Sequence, residues 1–248
     1  MYKFFVNSNQ IKNNKVVING EDYNHIKNVI RLTKEELIYI CNKEFSETFK
    51  CKIKNMENNE INCEIIEKVL ETTETKTNIH IFQGLPKSDK FEFIIEKCTE
   101  IGVKEITPIL MKRTIVKLDE KDMVKKLIRW NKIAETASKQ SKRDSILKVN
   151  NIIKFNDILN KLLNYDMVLV AYEEEKNNLL KNILKKQSLK NKINNIAVII
   201  GPEGGIDYDE IELCKNNNVI PITLGKRILR TETAPIVAAS NILYELED

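Results

Sequence analysis

Three short apolar runs, the last two closing on glycine-bearing turns, constrain this chain most. Residues 167–171 (MVLVA), 196–200 (IAVII) and 220–224 (IPITL) are almost continuously apolar, as strands are when a parallel sheet is covered on both faces. The second run leads directly into Gly201-Pro202-Glu203-Gly204-Gly205. The third, ending at Leu224, leads into Gly225-Lys226-Arg227-Ile228-Leu229-Arg230-Thr231-Glu232-Thr233-Ala234-Pro235. The chain has only 7 Gly and 5 Pro in 248 residues, and four of those Gly and three of those Pro fall between Gly201 and Pro235. Glycine is needed where the backbone takes positive φ, or where another group comes closer than a Cβ allows. One such turn reads as a tight strand-to-helix connection. Two of them, both at strand ends, favour a ligand held by backbone groups in the crevice at the carboxyl edge of a parallel sheet.

The upstream pattern extends that sheet. Residues 79–82 and 105–110 read as strands. Phe91, Ile94, Ile95, Cys98 and Ile101 share one helical face, with Ser88 or Asp89 as N-cap and Gly102 as stop. Met123, Leu127, Trp130, Ala134 and Ala137 mark a longer helix, in whose register Trp130 is a core residue. Asp207 and Glu210 form a capping box after the first glycine turn, and Thr233-Ala234-Pro235 opens a last helix. Alternating strands and helices predict an α/β fold with a mostly parallel sheet over residues 72–248. Residues 1–71 differ: 2–5, 15–18, 36–41, 48–53 and 60–69 read as strands and 22–32 as one helix, the outline of a small β-barrel-like domain. Residues 71–78 are polar and read as a linker. The Asn- and Lys-rich stretch 177–195 keeps enough leucine to be ordered.

Composition narrows the chemistry. The 40 basic and 36 acidic residues leave a net charge of +4, which permits nucleic-acid binding without demanding it. Five Cys without a CxxC pair and two distant His, His25 and His80, speak against a metal site and fit reduced thiols in a cytoplasmic protein. His80 lies in a buried-looking strand and reads as structural. No apolar run reaches membrane-spanning length. The first turn is not GxGxxG, and Gly225-Lys226 lacks the Ser or Thr of a phosphate-binding loop. A strand-end pocket with exposed backbone N–H and C=O groups suits a ligand with an adenine and a charged tail, and the spacing alone does not distinguish such ligands.

Both turns with their flanks resemble the RsmE family of small-subunit ribosomal RNA methyltransferases, in the SPOUT superfamily. Further segments resemble family motifs in the same order. They are His25-Ile26-Lys27-Asn28-Val29-Ile30-Arg31, Lys87-Ser88-Asp89-Lys90 with Thr99-Glu100-Ile101-Gly102-Val103, and Arg129-Trp130 running to Gln140-Ser141-Lys142-Arg143. Two departures stand out: Arg143 is followed by Asp-Ser-Ile-Leu where the family has a proline, and Asn24 replaces a second histidine. The resemblance implies a C-terminal domain with a deep trefoil knot, an N-terminal PUA- or OB-like barrel, a homodimer, and methylation of uridine N3 in 16S ribosomal RNA with S-adenosylmethionine as cofactor. It implies cofactor contacts from Ala171, Gly201, Pro202, Glu203, Gly204, Gly205, Leu224, Gly225, Ile228, Leu229, Arg230 and Thr231.

Uridine N3 carries a proton that must leave for methylation. Arg230 is suited to stabilising charge that develops on the base, and Glu232 to taking or relaying that proton. The same two residues also suit a local ion pair bracing the knot, and Glu203 suits a bond to loop N–H groups. RNA contacts fall to Arg31, Lys27, Lys87, Lys90, Arg113 and the 139–143 cluster, with Arg113, Gln140 and Arg143 inside family motifs. Other readings of the fold are a SPOUT enzyme acting on tRNA or ribose 2′-O, and a non-catalytic RNA-binding assembly factor.

Overall fold

The structure is a computed structural model that describes residues 1–188 and 192–247, with Ser88 and Ser188 described by backbone alone. Two compact units divide it: Met1–Glu74 with Ser138–Ile146, and Thr75–Ala137 with Leu147–Asp248.

In the first unit, β1 (Lys3–Val6), β2 (Ile11–Lys12), β3 (Lys15–Ile18), β4 (Leu37–Asn42), β5 (Glu47–Glu57) and β6 (Glu60–Lys68) make one sheet in the order β1-β4-β5-β6-β3-β2. Register shifts in β5 at Lys50/Cys51 and Ile53/Asn55 curl it. Alternate residues, among them Phe4, Ile38, Ile40, Ile53, Ile61 and Cys63, fill its core. The helix expected over 22–32 is broken in two. A short α1 (Gly20–Asn24) gives way to a π-helical turn, His25–Ile30, which ends where Arg31 takes φ 60°. This keeps Ile26 buried while Lys27 and Val29 stay exposed.

Residues 71–78 are not a solvated linker. Asp144 accepts Thr73 N–H at 2.7 Å and Lys3 Nζ at 2.6 Å. Glu74 accepts Arg143 Nη2 at 2.6 Å and Ser145 Oγ at 2.6 Å. The stretch is polar because it satisfies two buried charges, and a buried charge persists only when paired. Burial alone would raise the Asp144 carboxyl, but Lys3 and Thr48 outweigh it and hold it down at about 2.

In the second unit, β7 (Asn78–Gly84), β8 (Glu105–Leu110), β9 (Lys148–Val149), β10 (Ile153–Lys154), β11 (Met167–Ala171), β12 (Asn195–Ile200) and β13 (Ile220–Ile222) form a parallel sheet. Its order is β10-β8-β7-β12-β11-β13, with β9 also on β8. The helices are α2 (Ser88–Ile101), α3 (Glu120–Gln140), α4 (Leu159–Leu162), α5 (Leu180–Ser188), α6 (Tyr208–Asn216) and α7 (Ala234–Leu246). Helix α5 gives the leucines of 177–195 their order; residues 189–191 of that stretch lie outside the described residues.

Lys87 is the N-cap of α2, with no side-chain cap from Asp89, while the Ser88 side chain lies outside the described set. Gly102 ends the helix at φ 111°. Asp207 and Glu210 complete the expected capping box of α6. The run 220–224 yields only a three-residue β13, with Thr223 in an isolated parallel bridge to Leu179.

Trp130 packs on Phe91 with ring centroids 4.4 Å apart. His80 is buried, its Nε2 2.7 Å from Thr107 Oγ1 and its Nδ1 bonded to the Tyr165 hydroxyl. Burial pushes its imidazole down to about 4, so it is neutral and structural. The five cysteines are buried and unpaired. The chain leaves β7 toward β8 on one side and builds β12, β11 and β13 on the other. This reversal of strand order is where open α/β sheets offer a crevice at their carboxyl edge.

Candidate active site

The ends of β11, β12 and β13 open onto a cavity of about 470 Å³. Residues 171–173, 200–205 and 223–231 line it, with Lys90 from α2 and Ala234 from α7. Every residue singled out for cofactor contact is on this wall: Ala171, the whole first glycine turn, Leu224, Gly225, and the run from Ile228 to Thr231. Much of the surface is backbone. A Cβ at Gly225, where φ is 132°, would meet nothing within 4 Å, so the main chain there faces open space.

The turns are locked from behind. Gly84 closes β7 against the first turn: a Cβ there would lie 2.5 Å from Pro202 N and 2.8 Å from Gly201 C. Thr231 Oγ1 donates to Gly201 O at 2.7 Å and accepts from the buried Gln83 Nε2 at 3.0 Å. These hydrogen bonds join β7, the turn after β12 and the segment after β13. Gly84 carries the same sequence signal as Gly201, a glycine ending a strand in a glycine-poor chain. The role of Gln83 has no such signal, since a polar residue in a strand usually faces water.

The charged residues depart from the sequence reading. Arg230 and Glu232 form a loose ion pair, with Nη1 3.9 Å from Oε1 and the Arg230 side chain 82% exposed. The nearer cation is Lys90, with Nζ 3.3 Å from Glu232 Oε2 and 3.4 Å from Glu203 Oε1. Lys90 therefore stands in the cavity wall as an ion-pair partner rather than as a free RNA-facing charge. Glu232 itself is not part of the lining. Its Oε2 is buried and lacks an aligned hydrogen bond. Burial alone would lower the Lys90 ammonium, and the two carboxylates outweigh that and raise it. Glu203 also accepts Lys87 N–H at 3.2 Å. Burial would raise its carboxyl, but backbone N–H groups and Lys90 hold it below the usual range.

Of the residues expected to meet RNA, Arg31, Lys87 and Gln140 are exposed. Arg113 Nη1 donates to Gly204 O at 3.2 Å, and its Nη2 lies 3.5 Å from Asp207, so its guanidinium buttresses the first turn. Arg143 is a correction. It is 4% exposed and ion-paired to Glu74, which leaves it no path to a phosphate. Composition misled there, because a basic cluster looks the same in sequence whether solvated or buried. Lys226 and Arg227, which the sequence reading left unassigned, are exposed on the cavity wall with Arg230. Among the described residues no cluster of His, Cys, Asp and Glu is placed to hold a metal, and no helix is long and apolar enough to cross a membrane.

A parallel sheet whose strand-end turns wall a backbone-lined cavity, in a chain that also carries a curled β unit, fits one class. Residues 73–243 match the RNA methyltransferase domain family and residues 18–66 the RNA methyltransferase PUA domain family. More particularly, the chain belongs to the ribosomal RNA small subunit methyltransferase E family. It is 37% identical over 231 residues to the Bacillus subtilis member, covering 93% of this chain and 90% of the relative. It is also 37% identical over 236 residues to the Mesomycoplasma hyopneumoniae member, covering 95% and 96%. The crystal structure of the Neisseria gonorrhoeae enzyme bound to S-adenosyl methionine superposes with a TM-score of 0.86 at 27% identity, covering 98% of this chain and 97% of that one.

Proposed function

We propose that this protein transfers a methyl group from S-adenosylmethionine to N3 of a uridine in 16S ribosomal RNA of the small subunit. The observation that carries the reading is the convergence of both glycine-bearing turns and the end of β11 on one cavity. The wall suits the cofactor. Exposed backbone groups around Gly225 can meet an adenine edge, the apolar Leu224, Ile228 and Leu229 can cover its faces, and the polar wall can meet an amino-acid tail. When bound, S-adenosylmethionine supplies an electrophilic methyl on a sulfonium.

The chain's own residues provide the rest. The locked turns hold the cavity in one shape, which makes in-line geometry reproducible. Arg230, on the cavity wall, offers an exposed guanidinium to charge developing on the uracil as the N3 proton leaves. Glu232, 3.3 Å from Lys90 Nζ, serves as proton acceptor or relay. The target base must be unstacked to reach the cavity, and Lys226 and Arg227 are positioned to hold its flanking phosphates.

The finer architecture belongs to the same proposal. The C-terminal segment forms a deep trefoil knot, supported by the close passage of Gly84 over Pro202 and by the Gln83–Thr231–Gly201 hydrogen bonds. Residues 1–71 form an RNA-binding barrel, supported by the curled six-stranded sheet, and residues 72–248 form the catalytic domain. Arg31, Lys87 and Gln140 contact RNA, and the protein acts as a cytoplasmic homodimer.

Calorimetric titration with S-adenosylmethionine tests the reading. The wild type should bind, and Gly204→Val should not. A Cβ at Gly204 already lies 3.0 Å from Arg113 Cβ, and branching worsens that contact. RNA affinity should be retained in both. RNA binding without cofactor binding in the wild type would favour a non-catalytic assembly factor.

A further inference from the structure

We infer that Lys90 is a positioning residue that clasps the two glycine-bearing turns into one cofactor pocket. The inference rests on the cofactor reading given above and deepens it. Lys90 occupies the first turn of α2, two residues after Ser88. A cation there opposes the helix dipole, whose positive end lies at the N-terminus; Asp89 in the same turn complements that dipole, and Lys90 does not. Such a placement is locally unfavourable and is kept where something else compensates.

The compensation consists of two carboxylates from different segments. Glu203, in the turn after β12, lies 3.4 Å from Lys90 Nζ. Glu232, in the segment between β13 and α7, lies 3.3 Å from it. One ammonium in the first turn of α2 thus bridges the loops that follow β12 and β13. Side-chain exposures of 28% for Lys90, 25% for Glu203 and 17% for Glu232 leave all three partly shielded from solvent, where charge pairs are screened less than at a fully exposed site.

The two carboxylates are not equivalent. Glu203 has a second anchor in the Lys87 N–H at 3.2 Å, and it would keep its place without Lys90. Glu232 has no comparable second partner: Arg230 is 3.9 Å away on an 82% exposed side chain, and Glu232 Oε2 has no aligned hydrogen bond. Glu232 follows Thr231 directly, and Thr231 pins that segment to Gly201. Without Lys90, a half-buried carboxylate would be left with only the loose Arg230 pair, next to the residue that joins the two turns. The segment then relieves that charge by moving outward and spoiling the pocket.

The test uses the full-length protein, titrated with S-adenosylmethionine, beside small-subunit rRNA binding measured separately. Lys90→Met should weaken cofactor binding by about tenfold or more, the coupling expected for groups in one charge network. Lys90→Arg should stay within about threefold of wild type, since it keeps the charge and the reach. RNA affinity should be unchanged in both. In steady-state methylation the loss should appear mainly in KM for the cofactor. Adding Glu232→Gln to Lys90→Met should recover part of the loss, because no unpaired carboxylate then remains; a merely structural role for the lysine stem would show no such recovery.

Cofactor affinity unchanged in Lys90→Met would overturn the clasp. A loss of RNA affinity alone would also overturn it and return Lys90 to the phosphate-binding set. If Lys90→Met does not fold, Lys90→Gln alone and with Glu232→Gln makes the same comparison. A wild type that binds no cofactor would refute the proposed function itself, whereas a binding wild type with an indifferent Lys90 variant refutes only the clasp.

Discussion

Gly84→Ala is the smallest change that probes how the pocket is built. An added Cβ would sit 2.5 Å from Pro202 N, 2.6 Å from Pro202 Cδ and 2.8 Å from Gly201 C. Two of these are main-chain atoms and the third belongs to a rigid ring, so no flexible side chain can swing aside. Gly84 has no positive φ, and replacing it by Ala would otherwise favour folding by about 0.4–1 kcal/mol through the unfolded state. Overpacking costs about 1–3 kcal/mol, and three contacts below van der Waals distance put this site at the upper end. The clash therefore wins, with a net loss of about 2 kcal/mol. For a chain of this size that lowers the melting temperature by roughly 4–8 °C. Relief comes from displacing the first turn, so calorimetric affinity for S-adenosylmethionine should also fall, by at least about tenfold. A variant that melts at or above the wild-type temperature and binds the cofactor normally would refute the claim that β7 and the turn are locked together.

Three other perturbations read different parts of the structure. Thr231→Val removes the hydroxyl that joins Gly201 and Gln83; Gln83 Nε2 still has Gly84 O and Gly201 O as acceptors, so the loss in urea unfolding should be that of a hydrogen bond, about 1 kcal/mol, with weaker cofactor binding. Asp144, held down at about 2, contributes stability that is complete above its ordinary carboxylate value near 3.8 and is lost as pH falls toward 2. Acid unfolding of the first unit, followed by the fluorescence of its tyrosines, should therefore shift to higher pH in Asp144→Asn. Arg230→Ala should lower methyl-transfer kcat by about 10²-fold or more, with RNA affinity changed little in filter binding, because its side chain is 82% exposed and gives up only a 3.9 Å ion pair with Glu232.

The sheet was legible because its strands are buried on both faces. The runs at 167–171 and 105–110 match β11 and β8 residue for residue, and β12 differs by one residue. β9 and β10, two residues each, are too short to show a period. The break in the first helix was hidden because Ile26 and Ile30 keep a helical spacing through the π turn. The cavity was legible through glycine, which marks where main chain meets main chain or ligand. The charges were not. Lys90 and Arg143 look like their solvated neighbours in a chain with 40 basic residues, and what sets them apart is a carboxylate distant in sequence, Glu232 or Glu74. Pairing across such separations leaves no local pattern.

The central claim is that this cavity delivers a methyl group to uridine N3 in small-subunit ribosomal RNA. The direct test supplies the purified protein with isotopically labelled S-adenosylmethionine and small ribosomal subunits from cells lacking the enzyme. The RNA is then digested to nucleosides and analysed by mass spectrometry. The account predicts labelled 3-methyluridine at one position, absent with Gly204→Val. Label on ribose, on another base, or nowhere in the RNA would contradict it.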